Sequence, residues 1–174
     1  MDKIWFAMRA TYGRNLMAQR ALDVEKIESF VPMRKRTQKV GRRIKTDMIP
    51  IVRDLIFVLG EREAVQDAKS RIPYLHYIVR PIDGKNTPVE VPARQMEAFI
   101  AVCNEIDESA ELLSGEDAHF EVGERVEVVN GSFKGHQGLL VKIEGKRSKR
   151  FVVAVDGVVA VVVSGITAKD IKHI

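Results

Sequence analysis

The chain has 174 residues, 45% of them hydrophobic and 30% charged, with 28 Lys/Arg against 24 Asp/Glu for a net charge of +4. This is the composition of a globular protein of one domain or two small ones, and no apolar run approaches the roughly 18 residues of a membrane helix. A single cysteine, Cys103, rules out an internal disulfide framework, and with Ile4-Trp5-Phe6 leaving no room for a leader the chain suits a reducing cytoplasm.

Taken in chain order, residues 4–11 read as a strand of bulky side chains that Tyr12-Gly13 breaks. Residues 14–27 carry Leu16, Met17, Ala21, Leu22, Val24 and Ile27 at helical spacing. Phe30 to Met33 begins a second strand that turns strongly basic, with Gly41-Arg42-Arg43 as a hairpin tip and a return over 44–49. Leu55-Ile56-Phe57-Val58-Leu59, ended by Gly60, reads as a central strand. A short helix over 63–71 precedes a strand over 75–80, a turn at Asp83-Gly84 and a strand at Val89-Glu90-Val91. Pro92 opens a helix at a position where its missing N–H costs little. Its stripe is Met96, Phe99, Ile100, Cys103 and Ile106, which makes Cys103 a core residue rather than a nucleophile.

Residues 108–118 hold four acids and no base, the pattern of an acidic flexible linker. Beyond it, strands are predicted over 125–129, 138–143, 150–155 and 158–163, with a short last one at Ile171. Asp156-Gly157 predicts a two-residue type I′ hairpin. Asn130-Gly131, Gly135 and Gly138 make a tight loop around Phe133. Five short strands in about 55 residues close best into a small barrel, which leaves no long exposed edge. The fold class is therefore α+β, an α/β sandwich with a mostly antiparallel sheet over 1–107, then the linker, then a five-stranded barrel over 119–174. Residues 1–107 carry 19 Lys/Arg against 14 Asp/Glu and residues 119–174 nine against six, so two mildly basic bodies flank an acidic spacer and suit an anionic partner.

The two halves together resemble the NusG-like transcription elongation factors. Val126-Glu127-Val128-Val129-Asn130-Gly131-Ser132-Phe133-Lys134-Gly135-His136-Gln137-Gly138 matches the V-x-V-x-x-G-x-F-x-G-x-x-G pattern of a KOW domain, an SH3-like barrel. Ile4-Trp5-Phe6, Gly13 with its following helix, and Phe57-Val58 resemble the amino-terminal domain of the family. Leu55-Ile56-Phe57-Val58 and Val91 to Phe99 are similar to the UpxY-type paralogues, antiterminators of surface-polysaccharide operons. The resemblance implies a first domain that docks on the clamp of the largest RNA polymerase subunit, with Trp5, Phe6, Leu55 and Phe57 in or beneath the docking surface. Each of these four fits a plain sheet core as well. It also implies a barrel that recruits a small-subunit ribosomal protein or a termination factor, with Asn130, Phe133 and Lys134 on the partner face. Relatives often have Phe-Pro-x-Tyr where this chain has Val52-Arg53-Asp54-Leu55, so the docking chemistry differs from theirs.

Arg34, Lys35, Arg36, Lys39, Arg42, Arg43 and Lys45 put seven cations into twelve residues, with no acid before Asp47. Such charge keeps an edge hairpin from aggregating. It also suits the phosphates of DNA or nascent RNA, near which the resemblance puts this hairpin. Lys146-Arg147-Ser148-Lys149-Arg150 is a second basic cluster that reads as a solvated turn. No catalytic constellation is visible: the four histidines lack metal-ligand spacing, no phosphate loop occurs, and no cofactor is implied. The reading is a monomeric, non-enzymatic elongation or antitermination factor; the alternative is a general RNA-binding or ribosome-associated KOW protein.

Overall fold

The computed structural model describes residues 2–174. Strand β1 (Ile4–Ala10) leaves the sheet abruptly: Tyr12 takes the left-handed region (φ 59°, ψ 33°) and the chain turns straight into helix α1 (Asn15–Val24). Next come β2 (Glu28–Phe30), the long pair β3 (Met33–Val40) and β4 (Arg43–Pro50), and the apolar β5 (Leu55–Gly60). Helix α2 (Arg62–Arg71) has Glu63 in its first turn and Lys69 and Arg71 in its last, the charge order that the helix dipole favours. Four short strands follow: β6 (Leu75–Tyr77), β7 (Val79–Ile82), β8 (Lys85–Pro88) and β9 (Glu90–Val91). Helix α3 (Ala93–Cys103) begins directly after Pro92 and buries Met96, Phe99, Val102 and Cys103. The last strands are β10 (Glu111–Ser114), β11 (Glu124–Val128), β12 (Gln137–Val141), β13 (Arg150–Val155), β14 (Val159–Val163) and β15 (Ile171–His173).

The chain divides into two compact units, one formed by the chain up to Met33 with Ile49–Ala93, the other by Arg34–Met48 with Arg94–Ile174. In the first, an antiparallel sheet runs β2-β5-β1-β6, with β9 also paired to β1. β5 lies inside this sheet, as its unbroken apolar run predicts. Phe6, Met8, Ala10, Ile56 and Val58 form a dry core with Ala18 and Leu22 of α1 and Val65 and Ala68 of α2. Burial of Phe6 and Leu22 contributes about 2 kcal/mol each.

In the second unit the sheet order is β10-β14-β13-β12-β11-β15, antiparallel throughout. It has six strands rather than the five predicted. The sixth is β10, which lies inside the segment predicted to be a flexible linker. Leu112 and Leu113 face Val161 and Ala160 of β14, and Leu113 packs on a cluster of Ala118, Val141, Val152, Ala160 and Val162. A 3-10 turn over Gly115–Ala118 then leads on toward β11, with Ala118 fully buried. Two apolar side chains with a sheet edge to bury them outweigh the repulsion among the acids around them.

The predicted type I′ turn also falls elsewhere. Only Gly157 has positive φ (72°) at Asp156-Gly157, and the register Val155↔Val159 gives a three-residue connection. Asp156 is drawn into other bonds: its carboxylate meets His119 Nδ1 at 2.7 Å, and the neighbouring Gly157 N–H donates to the Ala118 carbonyl. A hairpin turn with two positive φ values occurs instead at Asp83-Gly84 (51° and 76°), joining β7 to β8 with Ile82 opposite Lys85.

Candidate docking and nucleic-acid surfaces

Strand register sorts the four candidate docking residues. Trp5 stands opposite Leu59, Ala7 opposite Phe57 and Arg9 opposite Leu55, so Trp5, Phe57 and Leu55 share one face of the sheet. Phe6 is on the other face, in the helix-covered core beside Tyr77, with the Arg62 guanidinium over its ring. Trp5 is partly exposed, whereas Phe6, Leu55 and Phe57 are buried.

The loop Val52-Arg53-Asp54 owes its shape to a residue that the sequence pattern does not single out. Asn15, at the start of α1, is 1% exposed and donates from Nδ2 to the carbonyls of Val52 and Leu55. Asp54 accepts from the Gly13 N–H at 2.7 Å, and its carbonyl accepts from Ala10. The loop is thus held by a hydrogen-bonded brace between α1 and the start of β5. A polar residue at a helix start is ambiguous in sequence, and here its partners are 37 and 40 residues away. Beside the brace, Arg14 lies between the rings of Tyr12 and Tyr74, at 5.6 and 5.5 Å.

Among the described residues, the β3–β4 hairpin pairs only with itself. Lys35, Arg36, Lys39, Arg42, Arg43 and Lys45 are exposed, and Arg34 is partly buried. Asp47 lies 3.6 Å from Arg36 and 3.8 Å from Lys45. Among the described residues, Lys39, Arg42 and Arg43 enter no ion pair, so the tip keeps its charge. Val40, Ile44 and Met48 are exposed between the cations, giving the ribbon a mixed apolar and cationic surface. A two-stranded ribbon of this kind has the dimensions to track a nucleic-acid groove.

The glycine loop after β11 is braced from within. Gly135 has φ 92° and its N–H donates to the Val128 carbonyl. Gly138 is required for a different reason: a Cβ there would meet the Val152 carbonyl oxygen at 2.5 Å and the Phe151 ring at 2.9 Å. Asn130 Nδ2 donates to the Lys169 carbonyl, tying the loop to the turn before β15. That turn is itself closed by Thr167, whose N–H and hydroxyl hold the Asp170 carboxyl below its usual range. Phe133 is half-buried with its ring edge toward His136, while Lys134 is exposed. A cavity of about 230 Å³ opens between Phe133, Val163 and Ile106, and one of about 220 Å³ between Phe133, Ile166 and Asp170.

Elsewhere, Cys103 is buried and its thiol is pushed up to about 12 by desolvation, so it stays protonated and unreactive at neutral pH. In the second basic cluster, Lys146 pairs with Glu111 and Lys149 with Glu124, so two of its four cations are paired. No helix among the described residues is long and apolar enough to cross a membrane.

Comparison with known proteins assigns both halves. A family model described as "Transcription termination factor nusG" matches residues 3–100, and one described as "KOW motif" matches residues 122–164. No curated protein matches the sequence. Among solved structures, "Domain interaction in Thermotoga maritima NusG" is similar at 18% identity over 100% of this chain and 98% of that one, with a TM-score of 0.47.

Proposed function

The chain belongs to the NusG family of transcription termination factors, and from that premise we propose that it travels with transcribing RNA polymerase as a monomeric, cytoplasmic processivity factor. Family membership makes it a transcription factor rather than an enzyme. In this reading residues 1–107 dock on the clamp of the largest polymerase subunit, with Trp5, Leu55 and Phe57 providing the apolar face and Phe6 supporting it from the opposite side. The exposed cations of the β3–β4 hairpin hold DNA or nascent RNA, and residues 119–174 recruit a second protein through Asn130, Phe133 and Lys134. That second partner is a small-subunit ribosomal protein or a termination factor. The similarity of Leu55 to Val58 and of Val91 to Phe99 to the UpxY type supports antitermination on surface-polysaccharide operons.

The observation that carries this proposal is the succession of both family matches on one chain, 3–100 and then 122–164. A KOW motif alone suits ribosome-associated proteins too; joined to the preceding domain it favours the polymerase. The test is co-sedimentation of the full chain with stalled elongation complexes and, separately, with ribosomal RNA. Retention on the complexes supports the proposal; retention on free RNA alone favours a general RNA-binding protein instead.

A further inference from the structure

The acidic segment after α3 lies against the basic hairpin within one compact unit. Among the described residues β3 pairs only with β4, so the backbone N–H groups on its outer edge have no strand partner there. One of them is filled: the Thr37 N–H donates to Glu108 Oε2 at 3.1 Å. Glu108 is held on an ordered turn. Ala110 N–H bonds back to the Asp107 carbonyl, Ser109 N–H bonds to the Asp107 carboxylate at 2.8 Å, and β10 begins at the next residue. The bonds from Ser109 hold the Asp107 carboxyl below its usual range, and the Lys35 charge adds to this, which puts a second carboxylate near the hairpin. A carboxylate that accepts from a strand-edge N–H beside lysine and arginine does what a backbone phosphate oxygen would do there.

We propose that the Asp107–Ala110 turn is an internal phosphate mimic that competes with nucleic acid for the basic hairpin. This rests on the reading of the hairpin as a nucleic-acid contact. Glu108 occupies an edge donor of β3 beside the hairpin cations, so a phosphodiester strand held by the tip and running along β3 competes with the turn for that edge. The contact is exposed, and it therefore works as a weak gate that an incoming polyanion opens rather than as a lock. β10 keeps its place in the sheet, so the turn remains close enough to return.

The experiment measures binding of the full-length chain to a fluorescein-labelled 20-nucleotide single-stranded DNA and to the RNA of the same sequence. Glu108→Gln removes the charge and Glu108→Lys reverses it. Glu116→Gln serves as a control acid on the 3-10 turn, and Arg42→Glu/Arg43→Glu removes the proposed ligand site. Release of the gate raises affinity about two- to fivefold in low salt, more for Glu108→Lys than for Glu108→Gln, the size of effect that one exposed charge has on a neighbouring charge. The gain vanishes when the arginines are reversed. A gain on either strand supports the proposal, and the larger one identifies the source of the phosphates. An equal gain from Glu116→Gln overturns it, because bulk charge would then suffice. If arginine reversal lowers binding but Glu108 variants change nothing, the gate alone falls; if arginine reversal changes nothing, the hairpin reading falls and takes the gate with it.

Discussion

The β3–β4 hairpin and the glycine loop around Phe133 are both dense with candidate residues, yet the structure treats them in opposite ways. In the glycine loop, backbone and side chains are engaged internally: Gly135 bonds to Val128, Asn130 to Lys169, and Gly138 lets β12 approach β13. At the hairpin tip, Lys39, Arg42 and Arg43 are exposed and enter no ion pair among the described residues. A substitution in the loop is therefore first a question of stability, and one at the tip is first a question of binding. Within the loop, Phe133 and Lys134 combine some exposure with side chains that make no bracing hydrogen bond.

Predictions that strain this contrast can be ordered by size. Gly138→Val has the largest expected effect, because the added carbon meets a backbone carbonyl that cannot move without unzipping β12 from β13. A loss of about 3 kcal/mol in chemical denaturation is expected, and an unchanged midpoint would show the strands to be farther apart. Asn15→Ala comes next, leaving the Val52 and Leu55 carbonyls without its donor for a cost of about 1–3 kcal/mol. The same variant should expose the loop over 51–54 to proteolysis, which an intact loop resists.

Cys103 gives a smaller, pH-dependent effect. Its folded thiol is raised to about 12 from an ordinary 9.0, so its contribution is fully present below about pH 9 and is lost as pH rises toward the folded value. Native protein should resist a thiol reagent at pH 8, and Cys103→Ala should flatten the fall in stability above pH 9; rapid modification of the native thiol would contradict its burial. The smallest effect on stability belongs to Arg42→Glu/Arg43→Glu, within about 0.5 kcal/mol of the parent, even though it is expected to alter binding most.

Much of this organisation is legible in the sequence because local pattern and tertiary outcome agree. The bulky run from Ile4 to Ala10, the apolar run at Leu55 and the alternation of Val126 and Val128 all become strands where they are expected. Disagreement arises where a distant partner decides. Leu112 and Leu113 are two apolar residues in an acidic stretch, and only β14 supplies the place to bury them. Asp156 departs from the predicted turn geometry in a setting where His119 binds its carboxylate, and Asn15 gains its role from carbonyls across the fold. For the surfaces, charge density marks the hairpin and the alternation along β1 already puts Phe6 behind Trp5, but only the register of β1 against β5 shows that Phe57 and Leu55 share the Trp5 face.

The most direct test of the central claim is the salt dependence of retention on stalled elongation complexes, comparing the parent chain with Arg42→Glu/Arg43→Glu. For every phosphate that the variant no longer neutralises, the log–log slope should flatten by roughly 0.9 for duplex DNA or 0.7 for a single strand. The account predicts a variant that is as stable as the parent but released at lower salt, with the shallower slope. Equal retention and equal slope, in a variant that folds normally, would contradict it.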